Sequence, residues 1–123
     1  MTLICGRVNF FSGPHLVFKY WLRGKFMRII IVGCGKVGSS IASELNLEGH
    51  EISVVDINHG AVDKLANSLD VLGIEGNGAT YDVLIEAGAE YADLLIAATA
   101  RDEINLYSCL MAKAAGVTHT IAR

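Results

Sequence analysis

Two kinds of hydrophobic pattern alternate along this chain from Met27 onward. Short unbroken runs of apolar residues, such as Ile29-Ile30-Ile31-Val32 and Leu94-Leu95-Ile96-Ala97-Ala98, have the character of strands buried on both faces. Between such runs the apolar residues recur at helical intervals, as Val37, Ile41 and Leu45 do. The alternation predicts strands over 28–32, 51–55, 71–75, 94–98 and 118–122, and helices over 36–47, 60–68, 81–87 and 102–115. Gly49 and the Ala-Gly pairs at 87–88 and 115–116 stand where a helix has to end through positive φ and turn back into a sheet. Short connections between strands and helices argue an α/β fold whose parallel sheet is covered on both faces.

The junction after the first strand carries the chemistry. Gly33-Cys34-Gly35-Lys36-Val37-Gly38 places three glycines at the G-x-G-x-x-G spacing between a strand and a helix, which is the layout of a dinucleotide-binding loop. Gly33 would allow the tight turn, Gly35 would let the backbone approach a pyrophosphate, and Gly38 would let the helix pack close on the strand. The helix start adds free N–H groups and a positive dipole end. The second strand ends on Asp56, eighteen residues beyond Gly38, near the ~20-residue offset of the acid that receives ribose hydroxyls. Like charge there would reject a 2′-phosphate, so NAD(H) or an adenine nucleotide (ATP, ADP or AMP) is expected rather than NADP. The fold is therefore read as a Rossmann-like doubly wound parallel sheet, its five strands in the order 3-2-1-4-5 required by right-handed crossovers. The ligand crevice is expected between strands one and four.

Two further loops reach that crevice. In Gly76-Asn77-Gly78-Ala79-Thr80 the small residues either serve a turn, with Thr80 as the helix N-cap, or present Asn77 to an adenine edge. In Ala97-Ala98-Thr99-Ala100 small side chains leave room for a ligand, and the Thr99 hydroxyl could donate to a phosphate or ribose. Asp102 and Glu103 suit the positive end of the following helix better than catalysis.

Charge narrows the partners. All 13 acidic residues lie after Met27 against six of the ten basic ones, a net charge of −7 for that part. Such a surface repels nucleic-acid phosphates, and no basic stripe offsets it. Cys5, Cys34 and Cys109 are odd in number, widely spaced and in no metal pattern, which fits a reducing cytoplasm without disulfides. Cys34 reads as a small, inert occupant of the glycine loop.

Residues 1–26 differ in kind. They hold all four Phe, the only Trp and the only Pro, four basic residues and no acid, and a second methionine, Met27, stands directly before the first strand. The segment is read as an extension, non-native or poorly ordered, ahead of a nucleotide-binding domain at 27–123. A basic aromatic membrane-surface segment is a competing reading. A secretory signal is opposed by Asn9, Ser12, Pro14, His15 and Lys19, which interrupt the apolar stretches.

Residues 27–123 resemble the N-terminal nucleotide-binding domain of potassium-transport regulators. These are the peripheral subunits of Trk/Ktr-type uptake systems and the RCK (regulator of potassium conductance) domains of channels. The resemblance rests on the segment 27–38, Val54-Val55-Asp56, Gly76-Asn77, Val83-Leu84-Ile85-Glu86-Ala87-Gly88 and Ala92-Asp93 leading to Ile96-Ala97-Ala98-Thr99. It continues through Asp102-Glu103-Ile104-Asn105-Leu106 and the closing Ile121-Ala122-Arg123. It implies a sensor of NAD(H) or adenine nucleotides and not an enzyme, assembled as a homodimer or larger ring. Such a sensor lies in the cytoplasm, peripheral to the inner face of the membrane, on an integral-membrane potassium transporter or channel. By position, Gly33, Cys34, Gly35, Lys36, Val37 and Gly38 would cradle phosphates and Asp56 would hold the ribose. Lys36 stands where the family often has Arg, and lacks its fork. Asn77 stands where Asp is common, and Thr99 and Arg123 would line the rest of the pocket. The resemblance also implies that the C-terminal part of the family domain is absent, since relatives continue beyond the fifth strand. The alternative is a cofactor-binding fragment of an NAD-dependent oxidoreductase, which would need an acid–base group beside the nicotinamide and a substrate domain.

Overall fold

The computed structural model describes residues 3–5, 8–10 and 26–123. Among them the elements run β1 (Leu3–Cys5), β2 (Val8–Phe10), β3 (Arg28–Val32), α1 (Lys36–Leu47), β4 (Glu51–Asp56), α2 (His59–Ser68) and β5 (Leu72–Glu75). There follow α3 (Tyr81–Glu86), a 3-10 turn (Ala89–Tyr91), β6 (Leu94–Ala97), α4 (Asp102–Ala115) and β7 (His119–Ala122). The sheet order is β1-β2-β7-β6-β3-β4-β5. Its five consecutive strands from β3 to β7 are parallel and lie in the predicted order 3-2-1-4-5.

The period of two along β3 explains the two layers. Ile29 and Ile31 face a core built with Ile41, Ala42 and Leu45 of α1 and Val62 and Leu65 of α2. Ile30 and Val32 face the other core, with Leu84 of α3 and Cys109 and Ala112 of α4. A strand with apolar residues on both faces, as 29–32 has, sits between two helical layers, and each fully buried Ile or Val there contributes roughly 1.5–3 kcal/mol. Val32 lies level with Val55 of β4 and with Ala97 of β6. The loops leaving these three strands therefore open at one edge of the sheet.

At the opposite edge the start of β3 is fastened from both sides. His50 Nδ1 accepts the Met27 N–H at 3.1 Å, and Asp93 Oδ2 accepts the Arg28 N–H at 2.9 Å. The helix exits use the glycines expected of them, Gly49, Gly88 and Gly116 having φ of 86°, 94° and 110°. Thr80 occupies the N-cap position of α3, but its hydroxyl donates to the Asn77 carbonyl at 2.8 Å rather than capping the helix.

The expectation for residues 1–26 lies largely outside the described residues. Of that segment, β2 pairs in parallel with β7, Asn9 opposite Ile121, and β1 pairs antiparallel with β2. No helix among the described residues is long and apolar enough to cross a membrane.

Candidate functional site

The three loop glycines have three different jobs. Gly33 leaves β3 at φ 107°, and its N–H donates to the Val55 carbonyl at 2.7 Å. A Cβ at Gly33 would come within 2.9 Å of the Ala98 carbonyl group, so the loop backs directly onto the chain leaving β6. A Cβ at Gly38 would lie 1.8 Å from the Gly33 oxygen, which makes Gly38 the close-packing position of helix against loop. Gly35 is different. Its φ of −74° and ψ of −164° suit any residue, and a Cβ there would meet nothing within 4 Å. The protein itself does not require glycine at 35, whereas a group approaching the loop from outside would.

Gly35 is also the N-cap of α1, with no side chain to cap the helix and no acid in the first turn. The N–H groups of that turn and their dipole end can receive an anion. They border a cavity of about 570 Å³ at the edge where β3, β4 and β6 end, within the range of small-ligand sites. The cavity is lined by Gly33, Gly35, Lys36 and Val37 of the glycine loop and α1, by Asp56 and Ile57 after β4, and by Gly76, Asn77 and Gly78 after β5. Ala98, Thr99, Ala100 and Arg101 after β6, Ile104 of α4 and Arg123 after β7 complete it, over a floor of Val32 and Val55.

Charge is concentrated here. Lys36, Arg101 and Arg123 line the cavity against the single carboxylate of Asp56. Three of the six basic residues after Met27 thus stand at one mouth of an otherwise acidic domain. Arg101 is held by Glu103, its Nε at 2.8 Å and Nη2 at 2.7 Å from Oε1. A hydrogen bond from its own backbone N–H, and after it the Arg101 pairing, holds the exposed Glu103 carboxyl below its usual range.

Asp56 does more than wait for a ligand. Its Oδ2 accepts the Cys34 N–H at 2.7 Å and its Oδ1 accepts the Asn58 N–H at 2.9 Å. Asn58 in turn caps α2, its Oδ1 accepting the Ala61 N–H at 3.1 Å. A carboxylate has about four acceptor positions, so about two remain open. Asn77 uses its side-chain oxygen to close its own turn, accepting the Ala79 N–H at 2.9 Å. The amide's NH₂ group and the second lone pair of its oxygen remain open. Gly76 and Gly78 serve packing, since Cβ atoms there would come within 2.8 Å of Val83 and 2.4 Å of Val32.

Eight of the ten residues expected from sequence line the cavity; Cys34 and Gly38 lie beneath the loop instead. The Cys34 thiol is buried, and that burial, with the Asp56 charge beside it, pushes it up to about 11. It is unreactive filling. Thr99 turns its hydroxyl inward, to Asn105 Oδ1 at 2.6 Å. Arg101, Ile104 and the fully buried Asn105 behind the loop are not among the site residues expected from sequence. Asn105 was detectable: it precedes Cys109 and Ala112 by four and seven residues, a polar residue on the apolar face of its helix.

A family model described as the TrkA-N domain matches residues 29–123. The Trk system potassium uptake protein TrkA of Azorhizobium caulinodans is 42% identical over 83 residues, which make up 68% of this chain and 18% of that protein. Among solved structures, the TrkA-N domain of the inner membrane protein ybaL from Escherichia coli superposes with a TM-score of 0.71 and 25% identity, covering 81% of this chain and 74% of that one. The Shewanella denitrificans Kef CTD, solved in its AMP bound form, superposes with a TM-score of 0.67 and 27% identity over 78% of this chain and 58% of that one.

Proposed function

This chain belongs to the TrkA-N domain family, and from that membership and the cavity's chemistry we propose that it is a nucleotide-sensing regulatory module of a potassium transport system. It binds NAD(H) or an adenine nucleotide without turning it over. The carrying observation is Gly35: a bare, unstrained glycine that nothing inside the protein requires, at an uncapped helix start facing a cation-rimmed cavity. The ligand's phosphates lie against residues 33–36, its ribose on Asp56, and its adenine by Ile57 and Asn77. The AMP bound to the Shewanella relative supports an adenine nucleotide as the ligand class.

The potassium uptake role of the Trk relatives supports the wider part of the reading. The domain assembles as a homodimer or larger ring at the cytoplasmic face of an integral-membrane potassium transporter or channel. A nucleotide that binds one state of that assembly better shifts its population and so the pore. The described histidines stand apart from the cavity lining: His50 at the far end of β4 on Met27, His59 on the surface between Asp63 and Glu75, and His119 at the start of β7. This supports sensing over hydride transfer, which needs an acid–base group beside the nicotinamide.

Titration calorimetry of the purified chain tests the reading. NADH and AMP are expected to bind saturably, and NADPH at least tenfold more weakly than NADH because Asp56 opposes a 2′-phosphate. Absence of binding by every adenine nucleotide would overturn it.

A further inference from the structure

We propose that Asn105 is a positioning residue that shapes the second half of the crevice, and with it the choice between mononucleotide and dinucleotide. The inference rests on the nucleotide-binding reading and extends it.

Topology divides the cavity in two. The ribose acid ends β4, on one side of β3, and the phosphate loop ends β3 itself. Whatever follows the phosphates must lie over β6, the neighbour on the other side, against the loop of residues 98–101. Asn105 clasps that loop at Thr99. Asn105 Oδ1 accepts both the Thr99 N–H, at 2.9 Å, and the Thr99 hydroxyl, at 2.6 Å, while its Nδ2 donates to the Thr99 carbonyl at 3.1 Å. The three bonds close on the donors and acceptors of a single residue.

Asn105 is fully buried and lies outside the cavity lining, so it touches a ligand only through Thr99. The primary amide supplies an acceptor for two donors and a donor for the carbonyl in one planar group. The clasp also reaches the cation beside it, because Thr99 Oγ1 accepts the Arg101 N–H at 3.2 Å. A ligand confined to the β3 and β4 side does not sense the loop's placement, whereas one extending over β6 does.

The test compares NADH with AMP by calorimetry on the wild type and on Thr99→Val, Thr99→Ser, Asn105→Asp and Asn105→Leu, each with its thermal midpoint. Thr99→Val removes the hydroxyl without entering the α4 core, which keeps the test available where Asn105 variants fail to fold. Thr99→Val is expected to lose about tenfold in NADH affinity and less than twofold in AMP affinity, and Thr99→Ser to restore NADH binding. Folded Asn105 variants are expected to follow Thr99→Val. Equal losses for both ligands would reduce the clasp to a general structural contact, and no loss for either would remove its role; both overturn the proposal. A wild type that binds AMP but not NADH would overturn it while leaving the nucleotide reading standing. A wild type that binds neither would overturn both.

Discussion

Asp56 Oδ2 accepts the Cys34 N–H across 2.7 Å, and this bond makes the end of β4 the fastening point of the glycine loop. The residue expected to hold the ribose also holds the glycine loop. The proposed function therefore predicts that binding and local stability are coupled at one carboxylate. Asp56→Ala leaves the N–H groups of Cys34 and Asn58 without their acceptor, at a cost of roughly 1–3 kcal/mol. Urea denaturation should show that loss together with loss of nucleotide binding. Asp56→Asn, which keeps one acceptor oxygen, should fold better than the alanine variant and discriminate less between NADH and NADPH.

Gly35 and Gly38 separate folding from binding. At Gly38 a methyl group would collide with the Gly33 carbonyl, and overpacking of this kind costs roughly 1–3 kcal/mol or more. At Gly35 a methyl group meets open space in a backbone conformation any residue adopts. Gly35→Ala is thus expected to hold or slightly raise the thermal midpoint, since Gly→Ala at a compatible site stabilises by about 0.4–1 kcal/mol, while nucleotide affinity falls at least tenfold. A Gly35→Ala variant that binds as the wild type does would remove the close-approach role.

Lys36, the first residue of α1 and a lining residue of the cavity, is expected to act as a point charge on the outermost phosphate. Lys36→Gln should weaken ADP or ATP binding by roughly 1 kcal/mol, the scale of an exposed charge pair, and AMP binding by less. The difference should shrink as salt is raised. Titrations at low and high ionic strength check both statements.

The buried thiols set an alkaline limit on stability. Cys34 is pushed from an ordinary value of 9.0 to about 11, by burial first and the Asp56 charge second; Cys109 goes to about 12 by burial, partly offset by its hydrogen bond with Thr120. In both the fold favours the protonated thiol. Their contribution is complete below pH 9, and is lost as pH rises from there through about 11 for Cys34 and about 12 for Cys109, because the unfolded chain releases the protons first. Denaturation midpoints should fall between pH 9 and 11, and fall less in the Cys34→Ala, Cys109→Ala double variant. An unchanged pH slope in that variant would contradict this.

Much of this was legible in the chain because one pattern, not many weak ones, carried it. The helices 36–47 and 102–115 fall at the residues read from periodicity and from Gly116, and the crossover rule places β6 beside β3. The glycine spacing likewise separated Gly33, Gly35 and Gly38 into three roles with three different steric surroundings. What escaped was hydrogen-bond direction. Spacing marks Thr99 as present at the crevice, but not that its hydroxyl turns inward to Asn105. It marks Asn77 as amide-bearing, but not that the Ala79 N–H claims its oxygen. It shows Asp56 at a strand end, but not that Cys34 and Asn58 already donate to it. Each depends on a loop returning upon itself, which no local period encodes.

The account stands on phosphates lying against the backbone of residues 33–36 while Asp56 receives the ribose. A crystal structure grown with NADH measures this directly. It should show the adenosine-side phosphate within hydrogen-bond reach of main-chain N–H groups at the start of α1 and a ribose hydroxyl on a free lone pair of Asp56, with the Cys34 bond intact. An empty crevice, or a nucleotide bound at the opposite edge of the sheet near His50 and Asp93, would contradict it.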